Sequence, residues 1–267
     1  MSNEALHRIG VKRPTPPSEL KCSAGRGRGI DWSNGAREIV EPALENGEID
    51  LYPEYVGTAL EFLNGGAGEA TADTAATTDR LRELFGEKDI EVLEPAEAQD
   101  KNALVVTEET ASEHGLSTIS DLEGPAADLV LGGPPECPER PLCLQGLEEV
   151  YGLDFADFRA LDAGGPLTVA ALEDGEIDVA VMFSTQGIIA DKGWVTLEDD
   201  KGLQPAENIV PVIRSEALTD EIAEVLNGVS AKLTTEEMTE LNRRVDVDKE
   251  DPEAVAGEWL EANGFSE

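Results

Sequence analysis

The chain has 267 residues with 57 acidic against 20 basic side chains, a formal charge of −37, and is long enough for one large α/β domain or two smaller lobes. That charge repels phosphate backbones and anionic lipid surfaces wherever salt does not screen it, which argues against nucleic acid as a partner. It suits a protein kept hydrated in concentrated salt, or a secreted acidic protein.

Taken in chain order, residues 1–33 read as an atypical start. MSNEALHRIGVKRPTPPSELKC is polar and proline-rich, with no apolar stretch of the kind an export signal carries, and Cys22 follows Lys21 instead of the small apolar residues of a lipoprotein signal. The chain as written is therefore expected to carry no export signal. No apolar run approaches the length needed to span a membrane.

The first informative segment is Ala43 to Tyr55, ALENGEIDLYPEY, because it recurs 128 positions later as Ala171 to Phe183, ALEDGEIDVAVMF, with seven identities in thirteen positions and no gap. Each copy reads as a helix end, an Asn-Gly or Asp-Gly turn supplying a left-handed cap, and a short strand starting at Ile49 or Ile177. Each strand delivers an aromatic residue, Tyr55 or Phe183, at the same offset. In open α/β sheets ligands gather at the carboxyl ends of strands, so two copies suggest two similar lobes facing a cleft. The bland reading is that helix, Gly turn and strand recur in any α/β protein.

Gly65 to Thr78, rich in Gly, Ala and Thr, reads as a surface loop leading into a helix over Thr77 to Phe85. Short buried strands are predicted at Ala103 to Val106, Leu129 to Leu131 and Ile209 to Ile213, with helices over Leu144 to Tyr151, Asp220 to Leu233 and Thr235 to Val245. Thr234 followed by Glu237 has the spacing of a capping box. The class expected is α/β.

The three cysteines, Cys22, Cys137 and Cys143, are an odd number and imply no disulfide framework, although ECPERPLC is short enough for a loop disulfide in an oxidising compartment. A metal site would need more ligands than one cysteine pair with His7 and His114 elsewhere. Neither histidine lies in a recognisable catalytic motif, and GGPPE and NGGAG lack the Walker lysine and the Rossmann spacing. No enzyme activity, cofactor or metal is expected.

At YPEYVGTAL, GGPPE, YGLDF, LDAGG, FSTQG, LEDDKG and LTTEEMTELNRRVDVD the chain resembles the osmoprotectant-binding proteins of ABC importers, which take glycine betaine, choline, carnitine and related betaines. The likeness runs from about Asn34 to the C-terminus. It implies a type II periplasmic-binding fold of two α/β lobes with a ligand cleft between them, residues 34–99 plus 207–267 forming one and 100–206 the other. It also implies a permease and an ATPase subunit as partners, and work outside the cytoplasmic membrane.

Such proteins hold a quaternary ammonium among aromatic rings, since a methylated ammonium donates no hydrogen bond and ring faces attract it electrostatically. By the resemblance, Tyr55 is one wall of the box, Thr58 the hydroxyl that meets the ligand's carboxylate, and Arg140 the guanidinium that clamps it. Phe183 stands where a tyrosine is usual, and Asp100 matches an oxygen that faces the ligand's methyl groups. Asn102 and Glu207 stand where further ring residues are expected, which alters half the box. A carboxylate at Glu207 would attract a cation directly and shift preference from betaine toward choline. The opening strand with its Gly-Ser-Lys and Phe-Thr-Glu signature is missing from the residues before Asn34.

Read without the resemblance, Tyr52 and Tyr55 are packing aromatics, Arg140 is a surface partner of Glu136 or Glu139, and Trp194 and Trp259 fill hydrophobic sites; Trp32 receives no role. A rival reading, raised by the missing strand, is a degenerate or truncated member that binds nothing.

Overall fold

A computed structural model describes residues 37–265. The expectations for the start of the chain, including His7, Cys22, Trp32 and the missing strand, fall outside the described residues. In chain order the elements are α1 (Arg37–Glu45), β1 (Leu51–Tyr55), α2 (Val56–Leu63), α3 (Thr74–Gly86), β2 (Ile90–Val92), β3 (Asn102–Val106), α4 (Glu108–His114), β4 (Val130–Gly133) and β5 (Asp157–Ala160). They continue with α5 (Pro166–Glu173), β6 (Val179–Phe183), α6 (Gly187–Asp191), β7 (Val195–Thr196), β8 (Ile209–Arg214), α7 (Asp220–Ser230), α8 (Thr235–Asp246) and α9 (Pro252–Ala262). The α/β class expected from the sequence is borne out. No described helix is long and apolar enough to cross a membrane.

The described residues form two compact units, one from those up to Asp100 together with those from Pro205 on, the other from Lys101 to Gln204. Asp100 therefore lies in the first unit rather than at the start of the second. In the first unit β8 is the centre of a sheet ordered β1-β8-β2 among the described residues, with both pairs antiparallel. Its near-continuous apolar run, IVPVIR, suits a strand covered on both faces, with Val210 and Val212 in one cluster and Ile209 in another. Leu44, Tyr52, Val56, Leu60, Leu81, Phe85, Ile90 and Val212 build the core between this sheet and α1 to α3. A second cluster joins Ala98, Ile209, Leu233 and Met238 to Trp259, which packs as the sequence suggests.

The second unit holds a five-stranded sheet ordered β5-β4-β6-β3-β7. β4 runs parallel to β5 and β6, and β3 antiparallel to β6 and β7. Leu104, Val106, Leu122, Leu131, Leu147, Val179 and Val181 pack one face; Val105, Leu172, Ile177, Ala180 and Met182 pack the other. Val179 to Met182 are all buried, the pattern of a strand covered on both faces.

The two copies of the repeat adopt one local conformation. Glu48 and Ile49 donate to Ala43 O at 2.9 and 3.3 Å, and their counterparts Glu176 and Ile177 donate to Ala171 O at 2.8 and 3.3 Å. Gly47 and Gly175 both sit in the left-handed region, with φ of +69° and +66°. The strands begin two residues later than the repeat suggests, at Leu51 and Val179, because Glu48 to Ile49 and Glu176 to Ile177 are spent closing the helix.

Three local expectations need correction. The Gly65 to Thr78 loop ends sooner, since the Asp73 carboxylate accepts from Ala75 and Ala76 N and starts α3 at Thr74. Leu144 to Tyr151 is not a regular helix but a turn over Leu144–Gly146 that widens into a π-helical turn over Leu147–Tyr151. The Thr234 capping box is half formed: its hydroxyl accepts from Glu237 N at 3.2 Å, whereas the Glu237 carboxylate takes the Trp259 indole N–H at 2.6 Å.

Candidate ligand site

The strand-to-helix junction at Tyr55 organises the first unit's polar cluster. Along β1, LYPEY, alternation buries Tyr52 and Glu54 on one face and leaves Leu51, Pro53 and Tyr55 half-buried on the other. The chain then enters α2 at once, with Tyr55 as an extended N-cap whose side chain caps nothing and with no acidic residue in the first turn. The first amides of α2 must find acceptors from elsewhere.

Those acceptors come from the far end of the chain. Val56 N donates to Asn208 O at 3.1 Å, and Thr58 N donates to Glu207 Oε2 at 3.2 Å. The Thr58 hydroxyl donates to the same oxygen at 3.3 Å. The Glu207 carboxylate thus serves as the helix cap that the local sequence lacks, 149 positions away. Gly57 makes this approach possible: a Cβ there would stand 2.8 Å from Ala206 O and Pro205 Cγ and 3.1 Å from Glu207 Oε1.

Arg37 on α1 and Glu54 on β1 complete the cluster. The guanidinium grips the buried Glu54 carboxylate with two bonds, Nε to Oε1 at 2.5 Å and Nη2 to Oε2 at 2.7 Å, and Nη2 also donates to Thr58 Oγ1 at 3.0 Å. Tyr55 N donates to Glu54 Oε2 at 2.6 Å. Burial works against the guanidinium's charge, but Glu54 outweighs it and holds Arg37 above its ordinary range. Glu207 is 4% exposed, and burial, helped by the nearby Glu54, pushes it up to about 7 against the opposing pull of Thr58 N–H and Arg37.

The Tyr55 hydroxyl meets Asp100 Oδ2 at 3.4 Å, and Asp100 N donates to Glu207 O at 3.1 Å, which ties the two acidic residues together through the backbone. Burial, with Asp100 beside it, raises the Tyr55 hydroxyl well above its usual range. The first unit therefore brings together four of the sequence-nominated residues, Tyr55, Thr58, Asp100 and Glu207. Glu207 does not point into solvent. The Thr58 hydroxyl, which the resemblance gives to a ligand's carboxylate, donates to the Glu207 carboxylate. Arg37 and Glu54 were not singled out in the sequence; the available signal was a carboxylate at a buried alternate position of β1, which requires a cationic partner.

In the second unit Asn102 and Phe183 stand opposite each other in the β3–β6 register, both half-buried. Asn102 Nδ2 donates to Leu142 O at 3.0 Å, so its amide is tied to the Cys137–Cys143 loop. Those cysteines are joined in a disulfide with Cα atoms 5.2 Å apart. Arg140 lies inside that loop, with its side chain 66% exposed and 3.9 Å from Glu136, the surface pair that the sequence allows. Among the described residues no group of His, Cys, Asp and Glu could hold a metal.

The family model for the substrate binding domain of ABC-type glycine betaine transport systems matches residues 25–262. A glycine-betaine-binding protein of Pseudomonas aeruginosa is 30% identical over 235 residues, covering 83% of this chain and 74% of that protein. The glycine betaine-binding protein YehZ of Escherichia coli is 28% identical over 245 residues, covering 87% and 80%. A crystal structure described as a glycine betaine/carnitine/choline ABC transporter superposes with a TM-score of 0.74 at 30% identity, covering 86% of this chain and 85% of that one. The chain belongs to the family of substrate-binding domains of ABC-type glycine betaine transport systems.

Proposed function

We propose that this chain is the extracytoplasmic receptor of an ABC importer and captures a small quaternary ammonium solute, delivering it to a permease driven by an ATPase subunit. The observation that carries the reading is the Tyr55 ring, half-buried at the β1–α2 junction beside the carboxyl groups of Asp100 and Glu207. A ring face next to carboxylates attracts a permanent cation that can donate no hydrogen bond, by about 2 kcal/mol or more when water is excluded. Asp100 and Glu207 add charge attraction, and Thr58 acts through the Glu207 carboxylate it holds.

From the second unit the reading takes Phe183 as a ring face, Asn102 as its polar neighbour and Arg140 as a guanidinium for a ligand's anionic end, all three on the family resemblance. The protein performs no chemistry on its ligand. Isothermal titration with glycine betaine, choline, carnitine and ergothioneine, in moderate and in high salt, tests the reading. Saturable heat from any of them, with the ligand recovered unchanged, supports it. A cooperatively folded protein that binds none overturns it.

A further inference from the structure

Two of the motifs that carry the family resemblance, LDAGG at 161–165 and FSTQG at 183–187, meet in the second unit. β6 ends in Phe183, and its two neighbouring strands stop at different heights. β3 pairs with it as far as Asn102 opposite Phe183, whereas the register with β4 ends at Ala180. Just past the end, Ser184 keeps hold of the β3 side: its N–H donates to Lys101 O and its hydroxyl accepts from Lys101 N, both at 2.9 Å. Beyond the reach of β4 the Gln186 side chain stands in for a strand. Its Oε1 accepts from Phe183 N at 3.1 Å and its Nε2 donates to Gly164 O at 2.9 Å. Gln186 N also donates to Phe183 O at 3.0 Å and closes a turn.

Both poles of this neutral amide are in use, one on the strand and one on the loop, and their order is forced: a backbone N–H faces the oxygen and a carbonyl faces the nitrogen. The loop is itself held, because the Asp162 carboxylate accepts from Leu167 N at 3.1 Å and Thr168 N at 2.9 Å at the start of α5. Gly164 has a φ of +69°, and a Cβ there would stand 2.3 Å from Gln186 Oε1, so glycine is what lets the amide in. The strand end that presents Phe183 is thus braced against a loop anchored to a helix.

We propose that Gln186 is a positioning residue of the ligand site: it fixes the backbone from which the Phe183 ring is presented and acts on the ligand through that ring, an inference that rests on the reading of Phe183 as a ring face. A phenyl side chain has two torsions, so its ring goes where its Cα and Cβ are held. Cation–π attraction needs the cation over the ring face, within about 6 Å of the centroid. A strand end held by β3 alone would fray and take its half-buried ring with it.

The test is a double-mutant cycle of Gln186→Met and Phe183→Ala, each protein first shown to unfold cooperatively in urea. Methionine keeps the length and volume of glutamine and makes neither hydrogen bond. All four proteins are titrated with whichever of glycine betaine, choline, carnitine and ergothioneine the wild type binds most tightly. Phe183→Ala is expected to weaken that ligand about tenfold. Gln186→Met should weaken it about threefold or more on its own and not at all once Phe183 is alanine. The urea midpoint separates positioning from mere support: it should fall with Gln186→Met in both backgrounds, while affinity falls only where the ring is present. An equal loss of affinity in both backgrounds, no loss in either, or a Phe183→Ala protein that binds like the wild type overturns the inference and leaves the receptor reading intact. A folded wild type that binds none of the four overturns both. Should Gln186→Met fail to fold, Gln186→Asn, too short to span both partners, takes its place in the cycle.

Discussion

Glu207 is the residue at which charge and packing meet most closely. Its folded-state value of about 7 lies above its ordinary 4.5, so folding favours the protonated form. This contribution to stability is complete below about 4.5 and is lost as the pH rises through 7. The charged neighbours that face it are Arg37, which opposes the shift, and Glu54, which reinforces it; Tyr55 stands close by. Measured by urea unfolding, Glu207→Gln is expected to gain on the wild type by on the order of 3 kcal/mol across that window and to hold a constant margin above it. A margin independent of pH would contradict the assignment. Gly57 gives a second test at the same scale. A methyl group there meets a backbone carbonyl at 2.8 Å, which cannot step aside like a flexible side chain. Gly57→Ala should therefore cost about 1–3 kcal/mol in the same assay and weaken any ligand that depends on Glu207.

Single elements show how local signals are completed or redirected. Asp73 starts α3 with two hydrogen bonds, and Asp73→Ala should lower stability by about 1 kcal/mol, read as a shift in the urea midpoint with an unchanged slope. Thr234 and Glu237 have the right spacing for a reciprocal cap, but the indole of Trp259 offers Glu237 a partner from another helix and takes it. The Cys137–Cys143 disulfide closes a short loop whose carbonyl at Leu142 anchors both Asn102 and Gln204. Reduction should destabilise the protein by about 2 kcal/mol, the chain-entropy value for so short a loop. Thermal melts with and without reductant check this. No change on reduction would mean that the loop is held by its other contacts.

At the scale of the whole molecule, the −37 charge dominates. Acidic side chains outnumber basic ones by 57 to 20, so mutual repulsion opposes the compact state until salt screens it. Raising KCl from about 0.1 to 1 M shortens the screening length from about 10 to about 3 Å, and the melting temperature should rise steeply and then level off. A melting temperature that ignores KCl would show that the surface charges are already neutralised in place. What the sequence by itself determined is what depends on near neighbours: the α/β alternation, the repeated helix end with its left-handed glycine, and the aromatic residue at the end of each repeated strand. Hydrogen bonds within six residues fix the helix ends, and 43–49 and 171–177 reproduce each other bond for bond, whereas the strands that follow pair differently. Only the tertiary structure decided the polar cluster of the first unit. Arg37 reaches Glu54 across 17 positions and Glu207 reaches Thr58 across 149, and no periodicity records such pairings. A buried carboxylate requires donors, and the fold selects which ones lie within reach.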